Sequence, residues 1–238
     1  MNLEPGAQNP KENGSRFSVL GSPKLILASA SPRRRELLSR LGVPFAVQPA
    51  EIEEDVAGDG GRPERAARRL AAAKARAVAE QHAGALVLAA DTVVALRGVL
   101  LGKPAGAEEA AAMLRGLRGR THRVVTAVAV AVPVETPRRG VSMLVGHFRT
   151  VVAMRPYSEE EIAASIARGD PFDKAGAYGI QDALFAPVES YDGCYCNVVG
   201  LPLWPALALL RRAGLDITHV RATDLLPQCA GCPLRPPS

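Results

Sequence analysis

The sequence has few aromatic residues, which make up only 4% of its 238 positions. It also lacks an apolar run of the ~20 residues that a membrane-spanning helix needs, since stretches such as 124–134 fall well short of that length. The N-terminus does not join a basic cluster to an apolar run, as a secretory signal would. Because 47% of the residues are nevertheless apolar, the chain can bury an aliphatic core. We therefore expect a soluble, cytoplasmic protein that does not contact a membrane.

Basic residues outnumber acidic ones by 29 to 24, which gives a net charge of +5. Basic and acidic residues balance in 1–22 and again in 214–238, so the excess lies in the middle of the chain. A basic middle favours an anionic ligand. Few aromatic side chains are present on which single-stranded bases could stack. We therefore expect a small phosphorylated ligand and no nucleic acid.

Strand and helix patterns are mixed from residue 23 to residue 213 without a repeat or a long linker, which predicts one α/β domain. Residues 1–22 lack apolar periodicity and are predicted to be a disordered extension. Residues 214–238 hold four prolines and a cysteine pair and are predicted to be a separate tail. Near the end of the domain, 196–199 is predicted to be a strand and 203–213 a helix.

Two basic side chains occupy the apolar faces of predicted helices. Arg34 lies on the stripe that leads to Leu41 in the helix predicted for 33–41. Free N–H groups and the helix dipole attract anions to a helix N-terminus, so this position favours a phosphate ligand; a solvated basic turn is the alternative. Lys74 lies on the apolar face of the predicted helix 62–82, from whose edge it could equally extend into solvent.

A carboxylate ends a predicted apolar strand, where Asp91 follows 85–90. A buried carboxylate is costly unless it is paired, hydrogen-bonded or bound to metal, and ligand-facing residues of α/β sheets lie at the carboxyl ends of strands. Glu51, Glu53 and Glu54 follow another predicted strand. One Asp and one Glu, with water and phosphate, are typical of a Mg²⁺ site. The alternatives are a turn aspartate and a solvated acidic loop.

Two short loops, 101–104 and 173–181, combine lysine with residues that allow the backbone to approach a ligand closely. With the preceding segments, and in this order, they resemble the Maf family of nucleotide pyrophosphatases over about residues 24–213. The matching segments are SASPRRRELL (29–38), AEIEED (50–55), the lysine of AAAKARAVA (71–79), AADTVV (89–94), LGKP (101–104), GRTHRVVTAVAV (119–130), DKAGAYGIQ (173–181) and NVVGLPL (197–203).

The resemblance implies an elongated mixed sheet flanked by helices, with two lobes around a cleft, as in inosine-triphosphate pyrophosphatases, and a homodimer. It also implies hydrolysis of nucleoside triphosphates to the monophosphate and pyrophosphate with Mg²⁺ or Mn²⁺, as house-cleaning of the nucleotide pool. The implied site consists of Asp91 as catalytic base; Arg33, Thr92 and Gln181 for specificity; Ser29, Arg34, Lys74, Lys103 and Lys174 for phosphate; and Glu54, Asp91 and Asp173 for metal.

The ADT and DKAGAYGIQ segments resemble the members that act on dTTP and UTP, and differ from the methyl-guanine type. Asp182 departs from the family pattern, because a Gly-rich stretch usually follows the equivalent of Gln181. A carboxylate there could repel a triphosphate or alter metal binding. A non-catalytic nucleotide-binding regulator linked to cell division is the alternative function. Retention of Asp91 and Glu54 favours the enzyme.

The four cysteines form a Cys-x-Cys pair and a Cys-x-x-Cys pair, at Cys194, Cys196, Cys229 and Cys232. A Cys₄ zinc site, reduced free thiols, and a disulfide or redox role in the tail are three alternatives. Cys-x-Cys is an unusual zinc spacing, and the two pairs are far apart in sequence. The sequence leaves this choice open.

Overall fold

The computed structural model describes residues 25–53, 59–134, 140–221 and 225–236. Within these residues the chain forms one mixed sheet of seven strands. They are β1 (Leu25–Leu27), β2 (Phe45–Val47), β3 (Leu86–Leu96), β4 (Val99–Leu101), β5 (Thr121–Val134), β6 (Gly140–Met154) and β7 (Val188–Asp192). Their order is β2-β1-β3-β5-β6-β7, and β4 pairs with β3. The first three strands run parallel, and the other pairs are antiparallel. The predicted disorder of residues 1–22 and the position of Glu54 lie outside the described residues.

Helices flank this sheet, as predicted for an α/β fold. They are α1 (Pro32–Ser39), α2 (Pro63–Gln81), α3 (Ala107–Leu117), α4 (Glu159–Ala167), α5 (Tyr195–Val199) and α6 (Leu203–Arg212). Local sequence sets where they begin: the Ser31 hydroxyl accepts a hydrogen bond from the Arg34 backbone N–H at the start of α1, and Ser158 and Glu161 form a capping box on α4. Across the described ranges, none of the helices has the length and hydropathy that crossing a membrane requires.

Side-chain alternation along the central strands separates two layers of core. In β3, Leu86 and Leu88 pack with α1 and α6, whereas Val87 and Ala89 face α2. The contact with α2 is made largely by small side chains, which allow helix and sheet to approach closely without large aromatic groups. The buried alanines of α2 in this layer are Ala66, Ala67, Ala71, Ala75 and Ala79.

A third apolar cluster lies at the far end of the long strands, where α3 and α4 pack against Val94, Val124 and Val152. It is separate from the two layers around α1, α2 and α6. The cleft described below is lined by residues from both ends of the sheet. The mixed sheet with helices on its faces confirms the predicted fold class.

The segment predicted as a strand at 196–199 is a short helix instead, so that prediction is wrong. The Cys194 carbonyl accepts hydrogen bonds from the Asn197 and Val198 N–H groups, at 3.1 and 3.4 Å. The helix ends at Gly200, whose φ of 123° suits glycine. The strand missing from the sequence prediction is β7, whose residues are mostly exposed at the edge of the sheet and show no apolar alternation.

The described part of the predicted tail is packed on the domain, which corrects the expectation of a separate segment. Leu225, Cys229 and Cys232 are buried in the same apolar cluster as α6. The indole N–H of Trp204 donates to the Cys229 carbonyl at 3.1 Å, and the Arg235 guanidinium lies 5.9 Å from the Trp204 ring centroid. Two buried cysteines, a leucine and one tryptophan therefore anchor this segment, although its sequence shows little periodicity.

Candidate active site

A cleft of about 980 Å³ opens between the two ends of the sheet. Its lining comes from the β1–α1 loop, one face of α2, the middle of β3, the loop after β4 and the segment 168–184. The structure brings ten of the eleven predicted site residues to this lining: Ser29, Arg33, Arg34, Lys74, Asp91, Thr92, Lys103, Asp173, Lys174 and Gln181. The eleventh, Glu54, lies outside the described residues, and Glu51 and Glu53 are exposed.

Asp91 and Lys74 form a buried ion pair on one wall of the cleft. The Lys74 Nζ lies 2.6 Å from the Asp91 Oδ1, and each side chain is only 7% exposed. Both had been singled out as charges at apolar positions, and the structure shows that each compensates the other. Asp91 was predicted to end its strand, and that prediction is wrong, because β3 continues to Leu96. It lies three residues beyond Leu88, which pairs with the last residue of β1, so the sheet opens beside it.

Arg34 is held in place by groups from three parts of the chain, one of which is the Ser29 hydroxyl, which accepts from its Nη1 at 3.4 Å. Its Nε donates to the Gly200 carbonyl at 2.9 Å, and its Nη2 donates to the Thr92 hydroxyl at 3.1 Å. A Cβ on Gly200 would lie 3.3 Å from that Nε, so glycine lets the carbonyl approach closely. Thr92 shares a further hydrogen bond of 2.9 Å with Thr126. The guanidinium is thus preorganised at the start of α1, where anions are favoured.

Asn197 was missed as a site-supporting residue by sequence reasoning. Its side-chain oxygen accepts from the Thr126 N–H at 3.2 Å, and its amide nitrogen donates to the Val124 carbonyl at 3.1 Å and the Thr150 hydroxyl at 3.0 Å. These bonds fix α5 to the sheet, and α5 in turn presents the Gly200 carbonyl to the site. The only sequence signal was its place in the NVVGLPL segment.

On the opposite wall, Asp173 lies between two basic side chains. Its carboxylate is 2.6 Å from Arg33 Nη1 and 2.7 Å from Lys174 Nζ. Partial burial opposes ionisation of Asp173, but hydrogen bonds from Lys174 and Arg33 outweigh it and lower the pKa of this carboxyl. Because Arg33 belongs to α1 and Asp173 to the segment after α4, this ion pair spans the cleft.

Glycine shapes the loop that carries these residues. Gly176 has a φ of 72°, and a Cβ there would lie 3.1 Å from the Val94 side chain. Its N–H donates to the Gly102 carbonyl at 2.9 Å, which joins the loop to the one that carries Lys103. The two lysine-bearing loops predicted from the sequence are therefore neighbours in the structure.

Asp182, the departure from the family pattern, caps a turn. Its Oδ1 accepts from the N–H groups of Leu184 and Phe185 at 3.0 and 2.9 Å, and its Oδ2 lies 3.4 Å from Arg168. Part of its charge is therefore compensated within its own loop. Gln181 beside it is exposed on the cleft lining, and no hydrogen bond to its side chain occurs among the described residues.

A buried histidine also lies behind the cleft. His122 Nε2 is 2.6 Å from the hydroxyl of Tyr178, a lining residue, and its Nδ1 has no hydrogen-bond partner within the described ranges. Burial lowers the pKa of His122 to about 4, so the ring is neutral at pH 7. Sequence reasoning missed this pair.

No three His, Cys, Asp or Glu side chains in the described part of the chain are already arranged to hold a metal ion. The two predicted metal ligands that the structure describes, Asp91 and Asp173, are each in contact with a basic side chain. Carboxylate oxygens that line one cleft are nevertheless the donors that Mg²⁺ and Mn²⁺ prefer. The metal-binding and catalytic roles of the site residues stay predictions.

The fold is a mixed α/β sheet with a cleft whose lining holds six basic side chains and four carboxylates, an excess of positive charge that suits a polyanion. The sequence profile of the family described as "Maf-like protein" matches residues 24–213, and the chain belongs to this family. The resemblance inferred from the motifs is therefore confirmed.

Curated relatives share most of the chain. A "dTTP/UTP pyrophosphatase" from Thermomicrobium roseum is 57% identical over 212 residues, which are 89% of this chain and 94% of the relative. Another from Moorella thermoacetica is 50% identical over 196 residues, 82% of this chain and 97% of the relative. A solved nucleoside-triphosphatase / dITP/XTP pyrophosphatase from Mycobacterium abscessus is 21% identical, covers 61% of this chain and 94% of its own, and has a TM-score of 0.31, too low to support an argument.

Proposed function

We propose that this protein hydrolyses nucleoside triphosphates, with dTTP and UTP preferred, to the nucleoside monophosphate and pyrophosphate. The observation that carries the proposal is Asp91, a carboxylate 7% exposed and 2.6 Å from Lys74, in the wall of a cleft that further basic side chains line. Identity of 57% to a dTTP/UTP pyrophosphatase over 89% of the chain supports the same substrates. Nothing in the site favours the non-catalytic regulator.

The residues of the cleft suit attack of water on the α-phosphorus. Asp91 accepts the proton of the attacking water, because a carboxylate in the wall of the cleft can act there as a general base. Lys74, whose Nζ lies 2.6 Å from Oδ1, orients the Asp91 carboxylate. Arg34, fixed by Gly200 and Thr92, faces the phosphates and offsets charge that develops on them as pyrophosphate leaves.

A divalent cation, Mg²⁺ or Mn²⁺, completes the proposal. Asp91 and Asp173 line the same cleft, and Glu54 is the third proposed ligand. Such an ion would supply charge neutralisation to the triphosphate when bound. Arg33 and Lys174 both form ion pairs with the Asp173 carboxylate. A triphosphate that attracts both cations would free the Asp173 oxygens to bind the metal ion.

Gln181, Thr92 and Arg33 are the proposed specificity residues, and Gln181 is the one that contacts the base. The exposed Gln181 amide offers both a donor and an acceptor to the O4 and N3–H groups that thymine and uracil share. Thr92 does not contact the base, because its hydroxyl is already hydrogen-bonded to Arg34 and Thr126. It shapes the site by holding Arg34. Because the recognised edge is common to both bases, dTTP and UTP are expected to be cleaved at similar rates.

We further propose that the enzyme works as a homodimer in the cytoplasm, where nucleotide pools are hydrolysed, and that residues 23–213 form its catalytic domain. Support for the dimer comes from the family resemblance, and support for the domain from the family match to residues 24–213. Light scattering on the purified full chain measures the mass of the particle, and a monomer at assay concentration would contradict the dimer.

The test is pyrophosphate release from dTTP, UTP, CTP and 7-methyl-GTP, with Mg²⁺ or Mn²⁺ and with chelator. We expect kcat/KM for dTTP and UTP to exceed that for 7-methyl-GTP, and chelator to abolish turnover. Asp91→Asn serves as the control for contaminating phosphatases. Absence of turnover on every nucleotide would overturn the enzyme, whereas 7-methyl-GTP as best substrate would overturn only the preference.

A further inference from the structure

All four cysteines of the chain lie together in the fold. None of them takes part in the proposed reaction. Cys194 and Cys196 lie at the start of α5, and Cys229 and Cys232 come from the C-terminal segment. Each is 7% exposed or less, each is a free thiol, and all belong to the apolar cluster around α6. The fold therefore unites a Cys-x-Cys pair with a Cys-x-x-Cys pair that the sequence separates widely.

The sulfur contacts connect the two pairs. Cys196 Sγ lies 3.5 Å from Cys229 Sγ. Cys194 interacts with Cys196 and with Cys232, so the interactions run through all four residues. A tetrahedral site with Zn–S bonds of about 2.3 Å places its sulfurs ~3.8 Å apart, whereas a disulfide needs ~2.05 Å. The 3.5 Å between the Cys196 and Cys229 sulfurs is close to the spacing of a zinc site and much longer than a disulfide bond.

We propose that Cys194, Cys196, Cys229 and Cys232 together bind one structural Zn²⁺, which fastens the C-terminal segment to α5 and α6. Zn²⁺ replaces the four thiol protons, which pass to solvent. The sulfurs do not yet surround an ion-sized space, since no three ligands are so arranged among the described residues. Binding therefore draws the outer sulfurs toward the spacing that Cys196 and Cys229 already have. The role is structural, because four protein sulfurs leave no open position for a substrate.

The proposed zinc is independent of the cleft metal and of the proposed reaction. The test uses the full chain with an affinity tag that contains no histidine, grown with added zinc and dialysed against a chelator. Elemental analysis is expected to find about one zinc per chain. Asp91→Asn, which changes a carboxylate of the cleft, should keep this zinc, so loss of activity and loss of zinc are distinguishable.

The paired variant Cys229→Ser with Cys232→Ser is expected to lose the zinc and to unfold at a lower temperature. Leu225→Ala is the matched control, because it removes a buried side chain of the same segment without removing a thiol, and it should retain zinc. If the serine variant does not fold, the wild type still decides: a mercurial reagent should release one zinc as four thiols react. Cobalt in place of zinc should give the visible bands of a tetrahedral thiolate site.

Two results would overturn the zinc site. One is wild-type protein with less than about a tenth of a zinc per chain and four titratable thiols, which would leave a reduced thiol cluster. The other is zinc-free protein with the mass that two disulfides give, which would show that the cysteines join the segment covalently.

Discussion

Replacing Asp91 by asparagine tests the chemistry and the stability of the cleft in one change. The substitution keeps the shape of the side chain but removes the charge that faces Lys74 at 2.6 Å. Both side chains are only 7% exposed, so neither charge can turn to bulk water without movement of the surrounding wall. The two consequences have different magnitudes and can be measured separately.

The first consequence is loss of turnover. An amide cannot accept a proton from the attacking water, and a positioned general base typically contributes ~10²–10⁴-fold to rate. We expect kcat for dTTP to fall by at least ~10²-fold. Because Gly200 and Thr92 still hold Arg34, binding of the nucleotide should fall much less.

The second consequence is loss of stability. Removal of one partner from a buried ion pair leaves the other charge uncompensated and costs about 3–5 kcal/mol. That is a large share of the ~5–15 kcal/mol by which a typical protein is stable. The fold should survive at 25 °C, but with an unfolding midpoint at clearly lower urea concentration.

A second variant separates the two effects. In Lys74→Met with Asp91→Asn, both charges of the pair are removed together, so most of the stability should return while turnover stays low. The measurements are urea unfolding and pyrophosphate release on the same preparations. Retention of half the wild-type kcat by Asp91→Asn would place the chemistry elsewhere. Recovery of turnover in the double variant would show that Asp91 only compensates Lys74.

Three further predictions follow from neighbouring residues. Burial lowers the pKa of His122 from 6.5 to about 4, so as pH falls the unfolded chain binds the proton before the folded chain does. The free energy of unfolding should therefore fall by about 3 kcal/mol between pH 6.5 and pH 4. Urea unfolding measured against pH should show this loss, and His122→Gln should lack that contribution. Asp182→Ala should cost about 1 kcal/mol by removing a turn cap, whereas Asp182→Asn should keep stability and leave kcat/KM for dTTP nearly unchanged; a large rise with Asn would show that the charge does repel substrate. Thr92→Gln should raise KM for dTTP about tenfold, because Arg34 loses a part-buried hydrogen bond; an unchanged KM would mean that Thr92 does not position Arg34.

The sequence was most informative where a residue violated the local pattern. Lys74 and Asp91 were conspicuous because a charge on an apolar helix face and one in an apolar strand each need an explanation. Their partnership was not predictable, since it depends on how α2 lies across β3. The same reasoning placed Asp91 at the end of a strand, because a carboxylate is unusual within one; the buried cation makes the interior position tolerable.

Other parts of the fold were missed because their stability comes from contacts distant in sequence. The residues of α5 have strand-like side chains, yet the amide of Asn197 bonds to β5 and β6 and fixes a helix there. The edge strand β7 has no buried face to leave a periodic pattern. The C-terminal segment likewise gains its place from Trp204 and the four cysteines, none of which shows periodicity.

The ion pairs across the cleft predict that binding of the substrate and binding of the proposed metal are linked. Arg33 and Lys174 both contact Asp173, so in the protein alone these three groups neutralise part of each other's charge. A triphosphate carries several negative charges and competes with Asp173 for the same two cations. Each cation that turns to phosphate leaves the Asp173 carboxylate less compensated, and a divalent ion bound to the triphosphate is the group best suited to compensate it. Nucleotide and metal should therefore bind cooperatively, each with higher affinity when the other is present.

Calorimetric titration of the Asp91→Asn variant with dTTP, with and without Mg²⁺, measures this coupling without turnover. Asp173→Asn should reduce it, and equal dTTP affinities with and without Mg²⁺ would contradict the linkage.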